Sequence, residues 1–211
     1  QWYADRSAFL GYWLQSTNSN VQIVQDGNAG LNTTDQRLYK QLDDGRRITV
    51  QNSVNGETGT DKETQYILFG GKRMDILAGG KLQDHFYGGD GVDLLEGREG
   101  NDILEGGRGF DLYRFNKGDG TDGVRDTDRR GILLIGDGDG GGLYLRQGSE
   151  ERWLNSDNGC TLTRGETWKL TLPDEGGEID LGSKLDDGDF GIHRLTLPSP
   201  PTISHEVLGD Q

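Results

Sequence analysis

The chain has 211 residues, of which 36 are glycine and 31% hydrophobic, and a formal charge of −14. That charge argues against electrostatic binding to nucleic acid or an anionic membrane, and there is no run of about 18 apolar residues to span a bilayer. The single cysteine, Cys160, rules out an internal disulfide framework and a multi-cysteine zinc site.

The chain opens QWYADRSAFL, without a basic-then-apolar leader. An export signal of that type is missing, removed, or replaced by another route. Trp2, Phe9, Leu10, Trp13 and Leu14 predict an amphipathic helix of about 13 residues with one aromatic side. The stripe is expected to cover the N-terminal end of the segment that follows; a lipid- or partner-binding stripe is the alternative. NSNVQIVQDGNAGLNTTD reads as loop. RLYKQLDDGRRITVQ reads as a β-hairpin, with alternating Leu38, Lys40 and Leu42, turn residues Asp43, Asp44 and Gly45, then Ile48 and Val50. YILF at 66–69 reads as a strand feeding the next segment.

That segment decides whether so much glycine means disorder. From Gly70 the chain reads GGKRMDILA, GGKLQDHFY, GGDGVDLLE, GREGNDILE, GGRGFDLYR, five nonapeptides over 70–114 without an insertion. Position one is glycine in all five (Gly70, Gly79, Gly88, Gly97, Gly106). Position six is aspartate (Asp75, Asp84, Asp93, Asp102, Asp111), and position eight is apolar (Leu77, Phe86, Leu95, Leu104, Tyr113). A flexible acidic linker keeps no apolar column, so this is a repeat architecture. Glycine permits tight loops with φ > 0, and each unit ends in a short β-prone run with one side chain inward. Each unit is then half a coil, and two units complete one turn of a parallel β-roll. Residue i lies above i+18, with strands about 4.8 Å apart. Asp75, Asp93 and Asp111 stack on one edge, Asp84 and Asp102 on the other. Bare carboxylates at that spacing repel by roughly 1 kcal/mol each even in water. A hard divalent cation reverses the sign. Calcium accepts six to eight carboxylate and carbonyl oxygens, whereas magnesium demands a tighter octahedron.

GGDGVDLLE resembles the nonapeptide G-G-x-G-x-D-x-U-x of the repeats-in-toxin (RTX) family, a calcium-binding β-helix repeat. The resemblance implies a parallel β-roll with about two to four calcium ions between successive loops. It also implies unfolded export by a type I secretion system and folding on meeting external calcium, so a secreted, extracellular bacterial location. The implied ligand set takes Asp75, Asp84, Asp93, Asp102 and Asp111 from position six, and Gly79, Gly88, Gly97 and Gly106 from position one. Gly89 joins from position two, Asp90, Glu99 and Arg108 from position three, and Gly91, Gly100 and Gly109 from position four. The exit FNKGDGTDGVRDTD at 115–128 follows the family more loosely, with Asp119 and Asp122 closing the last loops. Units one and two depart from the pattern. They carry Lys72 and Lys81 at position three, and Arg73 and Leu82 where position four expects glycine. The site between Asp93 and Asp111 is therefore the firmest, that of Asp84 and Asp102 the next, and that of Asp75 the weakest. Whether the first two units coil without an ion stays open.

Residues 129–197 read as antiparallel β, with candidate strands at 132–135, 143–146, 168–172, 178–181 and 192–197. A roll leaves an open core and an unpaired edge at its end, so this region is expected to be the cap, with Trp153 and Trp168 in its core. GDGDGGG offers Asp137 and Asp139 as the start of an EF-hand loop, but Gly141 and Gly148 stand where ligands are needed, so it reads as a hairpin loop. The tail LPSPPTISHEVLGDQ is proline-broken and, by the same resemblance, a place for an uncleaved export signal.

There is no G-x-S-x-G elbow and no H-E-x-x-H. His85 is expected on the roll surface, His193 is expected to be structural, and Cys160 a buried or idle thiol. The expectation is a mainly all-β, monomeric, non-enzymatic chain in three parts. These are an N-terminal helix and hairpin cap (1–69), a calcium-binding parallel β-roll (70–128) and a C-terminal antiparallel cap with tail (129–211). It would support secretion and stability of an upstream effector domain, lipase-like or other. The alternatives are a carbohydrate- or lipid-binding module using Trp2 and Trp13, and a hydrolase with an unrecognised site.

Overall fold

A computed structural model describes residues 1–16, 23–25, 36–42, 47–52, 64–136, 143–149, 151–174 and 176–195. The hairpin turn at 43–45, the GDGDGGG loop beyond Gly136 and the tail from residue 196 lie outside the described residues, as do the side chains of Trp13 and Leu14.

The N-terminal part comprises helix α1 (Trp2–Ser16) and strands β1 (Ile23–Gln25), β2 (Gln36–Gln41), β3 (Arg47–Asn52) and β4 (Thr64–Phe69). The repeats form β5 (Ile76–Ala78), β6 (His85–Gly91), β7 (Leu94–Glu96), β8 (Ile103–Gly109) and β9 (Asp111–Phe115), and the exit adds β10 (Thr121–Val124) and β11 (Gly131–Ile135). The C-terminal part holds β12 (Leu143–Ser149), β13 (Arg152–Leu154), β14 (Thr161–Arg164), β15 (Trp168–Thr171), β16 (Glu178–Asp180), a 3₁₀ turn at Asp189–Gly191 and β17 (Ile192–Leu195).

The chain winds alternately between two sheets, as the half-coil period demands. The long sheet runs β1-β3-β2-β4-β6-β8-β10-β16-β15-β14-β13-β12-β17, and the short sheet β11-β9-β7-β5. Parallel register within the repeats advances by one coil: Ile67 faces His85, His85 faces Ile103, and Ile76 faces Leu94, which faces Leu112. The fold is thus all-β around a parallel roll. The exit coil is two residues longer, setting Gly123 beside Ile103 and Gly131 beside Asp111.

The position-eight column is the core. Leu77, Phe86, Leu95, Leu104 and Tyr113 expose nothing to solvent, and each such side chain contributes roughly 1.5–3 kcal/mol. Leu42 and Tyr66 pack against this core from the N-terminal part. At the far end β16 pairs with β10, and a meander back through β15, β14, β13 and β12 continues the sheet. Trp153 and Trp168 are buried there with ring centroids 5.4 Å apart, and the Arg194 guanidinium lies over both. Cys160 is buried too, and burial pushes its thiol up to about 11.

Several expectations are corrected. Gly131–Ile135 is not an antiparallel cap strand; it stacks parallel on β9 as the last rung of the short sheet. β13 and β14 are strands that the apolar pattern does not mark, because they are short and carry Arg152, Thr161 and Thr163. Ile23–Gln25, within the segment read as loop, pairs parallel with β3. The hairpin of β2 and β3 forms, but Tyr39 and Gln41 are the buried residues of β2, not Leu38. Finally, α1 does not cover the end of the roll. Phe9 packs with Tyr39, Ile67, Phe69 and Tyr87 on the outer face of the long sheet.

That placement also corrects His85. It points outward from the roll but is buried beneath α1, with Nδ1 2.7 Å from Asp5 Oδ2. The Tyr87 hydroxyl donates to the same oxygen at 2.7 Å. Burial opposes ionisation of Asp5, yet the bonds from His85 and Tyr87 hold its carboxyl below the usual value. Arg6 reaches Gln41 and lies 4.9 Å from the Phe69 ring centroid.

Candidate metal centre

The position-six aspartates are aligned along two edges of the roll, and backbone, not bare carboxylate, separates them. From Asp84 onward each Oδ1 accepts the N–H of the residue one coil earlier. Tyr66 donates to Asp84 at 2.7 Å, Asp75 to Asp93 at 2.8 Å and Asp84 to Asp102 at 2.7 Å. Asp93 donates to Asp111 at 2.9 Å, and Asp102 to Asp122, across the longer exit coil, at 2.9 Å.

The second oxygen divides the units into two kinds. Asp75 Oδ2 accepts from Gly71 N–H and Asp84 Oδ2 from Gly80 N–H, both at 2.7 Å. The Oδ2 atoms of Asp93, Asp102 and Asp111 are buried and have no hydrogen-bond partner. An unpaired buried polar atom costs about 1–3 kcal/mol, more when charged, so these three oxygens call for a cation.

Loop conformation explains the division. In units three to five, position two is left-handed (Gly89 φ 106°, Arg98 φ 70°, Gly107 φ 111°), and so is position four (Gly91 φ 144°, Gly100 φ 139°, Gly109 φ 133°). Only glycine reaches the position-four values comfortably. Units one and two place Arg73 and Leu82 there, and neither they nor Gly71 and Gly80 have positive φ. Their loops instead turn the position-two N–H onto the aspartate. Their position-one carbonyls are also taken: Gln41 Nε2 donates to Gly70 O at 3.0 Å, and Arg98 to Gly79 O at 3.0 Å.

The position-one glycines form the other wall. A Cβ on Gly88 would stand 2.5 Å from both Asp93 Oδ2 and the Gly106 carbonyl. On Gly97 it would run into Asp102 Oδ2, and on Gly106 into Asp111 Oδ2 and the Tyr113 hydroxyl. The partnerless oxygens therefore sit in cradles that only a bare backbone leaves open. The Asp90, Glu99 and Arg108 side chains are exposed. Among the described residues no three His, Cys, Asp or Glu side chains converge as a cage, and an ion held here would draw on backbone carbonyls beside the aspartate oxygens. That donor set suits hard calcium and its flexible coordination.

Burial raises the carboxyls of Asp93 and Asp111 to about 6, Asp122 to about 7 and Asp102 to about 8, with the neighbouring aspartates adding repulsion. Burial likewise lifts Asp84 to about 6 and raises Asp119. Asp119 Oδ2 accepts from Asn116 N–H at 2.6 Å, making the turn of the exit.

Two nearby residues, Asp126 and Asp128, and the role of the Tyr113 hydroxyl escaped the sequence reading. The Tyr113 hydroxyl accepts from Gly106 N–H at 3.0 Å and donates to Asp126 Oδ2 at 2.7 Å. Asp126 Oδ1 accepts from the N–H groups of Asp128 and Arg129, and Asp128 Oδ2 from Gly109 N–H. The signal was Asp-x-Asp at 126–128, one long coil after Gly106–Arg108, but the two extra exit residues broke the period that would have placed it.

The family model describing the RTX calcium-binding nonapeptide repeat, in four copies, matches residues 69–104 and 78–113. No curated protein and no solved structure matches the chain. With the coil period, the aspartate ladders and this match in agreement, residues 69–113 are a run of RTX calcium-binding repeats.

Proposed function

We propose that the chain is a calcium-responsive folding module that holds three ions, at Asp93, Asp102 and Asp111, and completes its roll only when they bind. The observation that carries this reading is the set of three buried, partnerless Oδ2 atoms. The loops of Asp75 and Asp84 supply their own N–H donors and need no ion. Ions that bind only the folded form stabilise it by about 2.7 kcal/mol per independent site at a hundredfold excess over Kd. Three sites would supply a large share of an ordinary domain's stability of roughly 5–15 kcal/mol. In calcium-poor cytosol the chain stays loose enough for a type I channel, and outside the cell it folds, carrying an upstream effector domain with it. The elements before β4 and the strands from β12 onward serve as the two caps, with Gly131–Ile135 counted in the roll.

Calorimetric calcium titration and circular dichroism with and without EGTA test this. Asp93→Asn, Asp102→Asn and Asp111→Asn should each lower the ion count by one, and Asp75→Asn and Asp84→Asn should leave it unchanged. Full β content in EGTA, or an unchanged count in the first three variants, contradicts the proposal. A second reading, a surface-binding module, draws on the Trp2 and Tyr3 pair, exposed on α1 with ring centroids 5.1 Å apart. Glycan or liposome binding abolished by Trp2→Ala, with calcium binding intact, would support it.

A further inference from the structure

The outer faces of the two sheets are finished differently. On the long sheet the outward residues Ile67, Phe69 and Tyr87 lie sealed beneath α1. On the short sheet the outward residues of β5 and the loops beside it are apolar and, among the described residues, uncovered by any element, whereas on β11 the outward Leu134 is buried. Ile76, Leu94, Leu112 and Ile132 are register neighbours across β5, β7, β9 and β11. Two residues earlier on the same alternation stand Met74, Val92 and Phe110, which are 70%, 44% and 45% exposed, and Ile76 is 64% exposed. The opposite flank carries Gln83 and Asn101 at that position, so the apolar column belongs to this face alone. A contiguous exposed apolar patch of this kind marks an interaction site.

The rim is basic although the chain is acidic. Lys72, Arg73, Arg108, Arg114 and Arg130 are exposed around the patch, and none forms an ion pair among the described residues. The acids on the same face include Asp90, Glu96 and the exposed Asp128; Glu96 already lies 3.9 Å from Arg98, and Asp128 accepts from the N–H groups of Gly109 and Arg130. Among the described residues the edge is open as well. β5 ends the short sheet, whereas the long sheet continues past the same coil through β2, β3 and β1.

We infer that the short sheet docks an extended acidic segment of another polypeptide, which adds as a strand along β5 and extends the apolar face. Strand addition uses backbone donors and acceptors that a lipid surface lacks. The net charge of −14 opposes approach to an anionic bilayer. A second copy pairing through its own β5 would set Lys72, Arg73 and Lys81 against their like, which is how natural edges resist self-association. Acidic residues flanking an apolar, alternating centre match the exposed lysines and arginine at the two ends of β5.

The test is fluorescence anisotropy of a labelled synthetic peptide, valines alternating with threonines between glutamate pairs, against the full chain at fixed saturating free calcium and about 0.15 M salt. The same peptide with lysines for glutamates is the control. The glutamate peptide should bind at least about tenfold more tightly than the control. Lys72→Glu combined with Arg73→Glu, and separately Ile76→Glu, should each weaken it about tenfold while leaving the calcium isotherm unchanged. Equal binding of both peptides, no binding, or indifference to these variants overturns the inference. So does a dimer in sedimentation that Ile76→Glu dissociates, which assigns the face to a second copy. Capture by phosphatidylserine vesicles without peptide binding assigns it to lipid and overturns it equally.

Discussion

Asp93, Asp102 and Asp111 each spend one carboxylate oxygen on the preceding coil's backbone and bury the other without a partner. Their protonation is therefore tied to folding. Their folded-state values of about 6 to 8, raised by burial first, exceed the ordinary 3.8, so the metal-free fold binds protons more tightly than the unfolded chain. Stability without calcium is fully gained below about pH 4 and is lost as pH rises through the range 6 to 8. Calcium needs the ionised carboxylates, so its affinity moves the opposite way. Melts in EGTA should give a higher Tm at about pH 5.5 than at about pH 8, and calcium binding should weaken over the same drop; a metal-free Tm that falls on acidification contradicts this. The glycine opposite is equally constrained. Gly106→Ala would drive a Cβ into the Asp111 carboxyl and the Tyr113 hydroxyl, costing about 1–3 kcal/mol and the ion at Asp111. Calcium-saturated melts and titration measure both losses.

The coils are not equivalent elements. The first two loops satisfy their aspartates and their position-one carbonyls from within the chain, while the next three leave an oxygen open. Hydrogen exchange in EGTA should leave β4, β5 and the start of β6 protected while β7 to β9 exchange rapidly, and calcium should slow the latter. Uniform exchange along the repeats would contradict the distinction. Much of this was legible beforehand, because Gly, Asp and an apolar residue recur in fixed columns and because Arg73 and Leu82 break the position-four rule. The cover over each face was not. Alternation says that Ile67, His85 and Tyr87 point outward, but it cannot say that α1 closes over them. Nor could local pattern show that Gly131–Ile135 continues the roll, since ILLI suits a cap strand as well as a rung, and the two-residue lengthening of the exit hid the period.

At the scale of the molecule, the roll is a thin core whose long sheet the chain carries from β1 to β17. Three divalent ions would neutralise six of fourteen excess negative charges, easing the self-repulsion that opposes compaction. The C-terminal meander buries Trp153 and Trp168 under Arg194. The most direct test of the account is anomalous diffraction from crystals grown in calcium. It predicts peaks beside Oδ2 of Asp93, Asp102 and Asp111 and none beside Asp75 or Asp84; loops without peaks at the first three positions would contradict it.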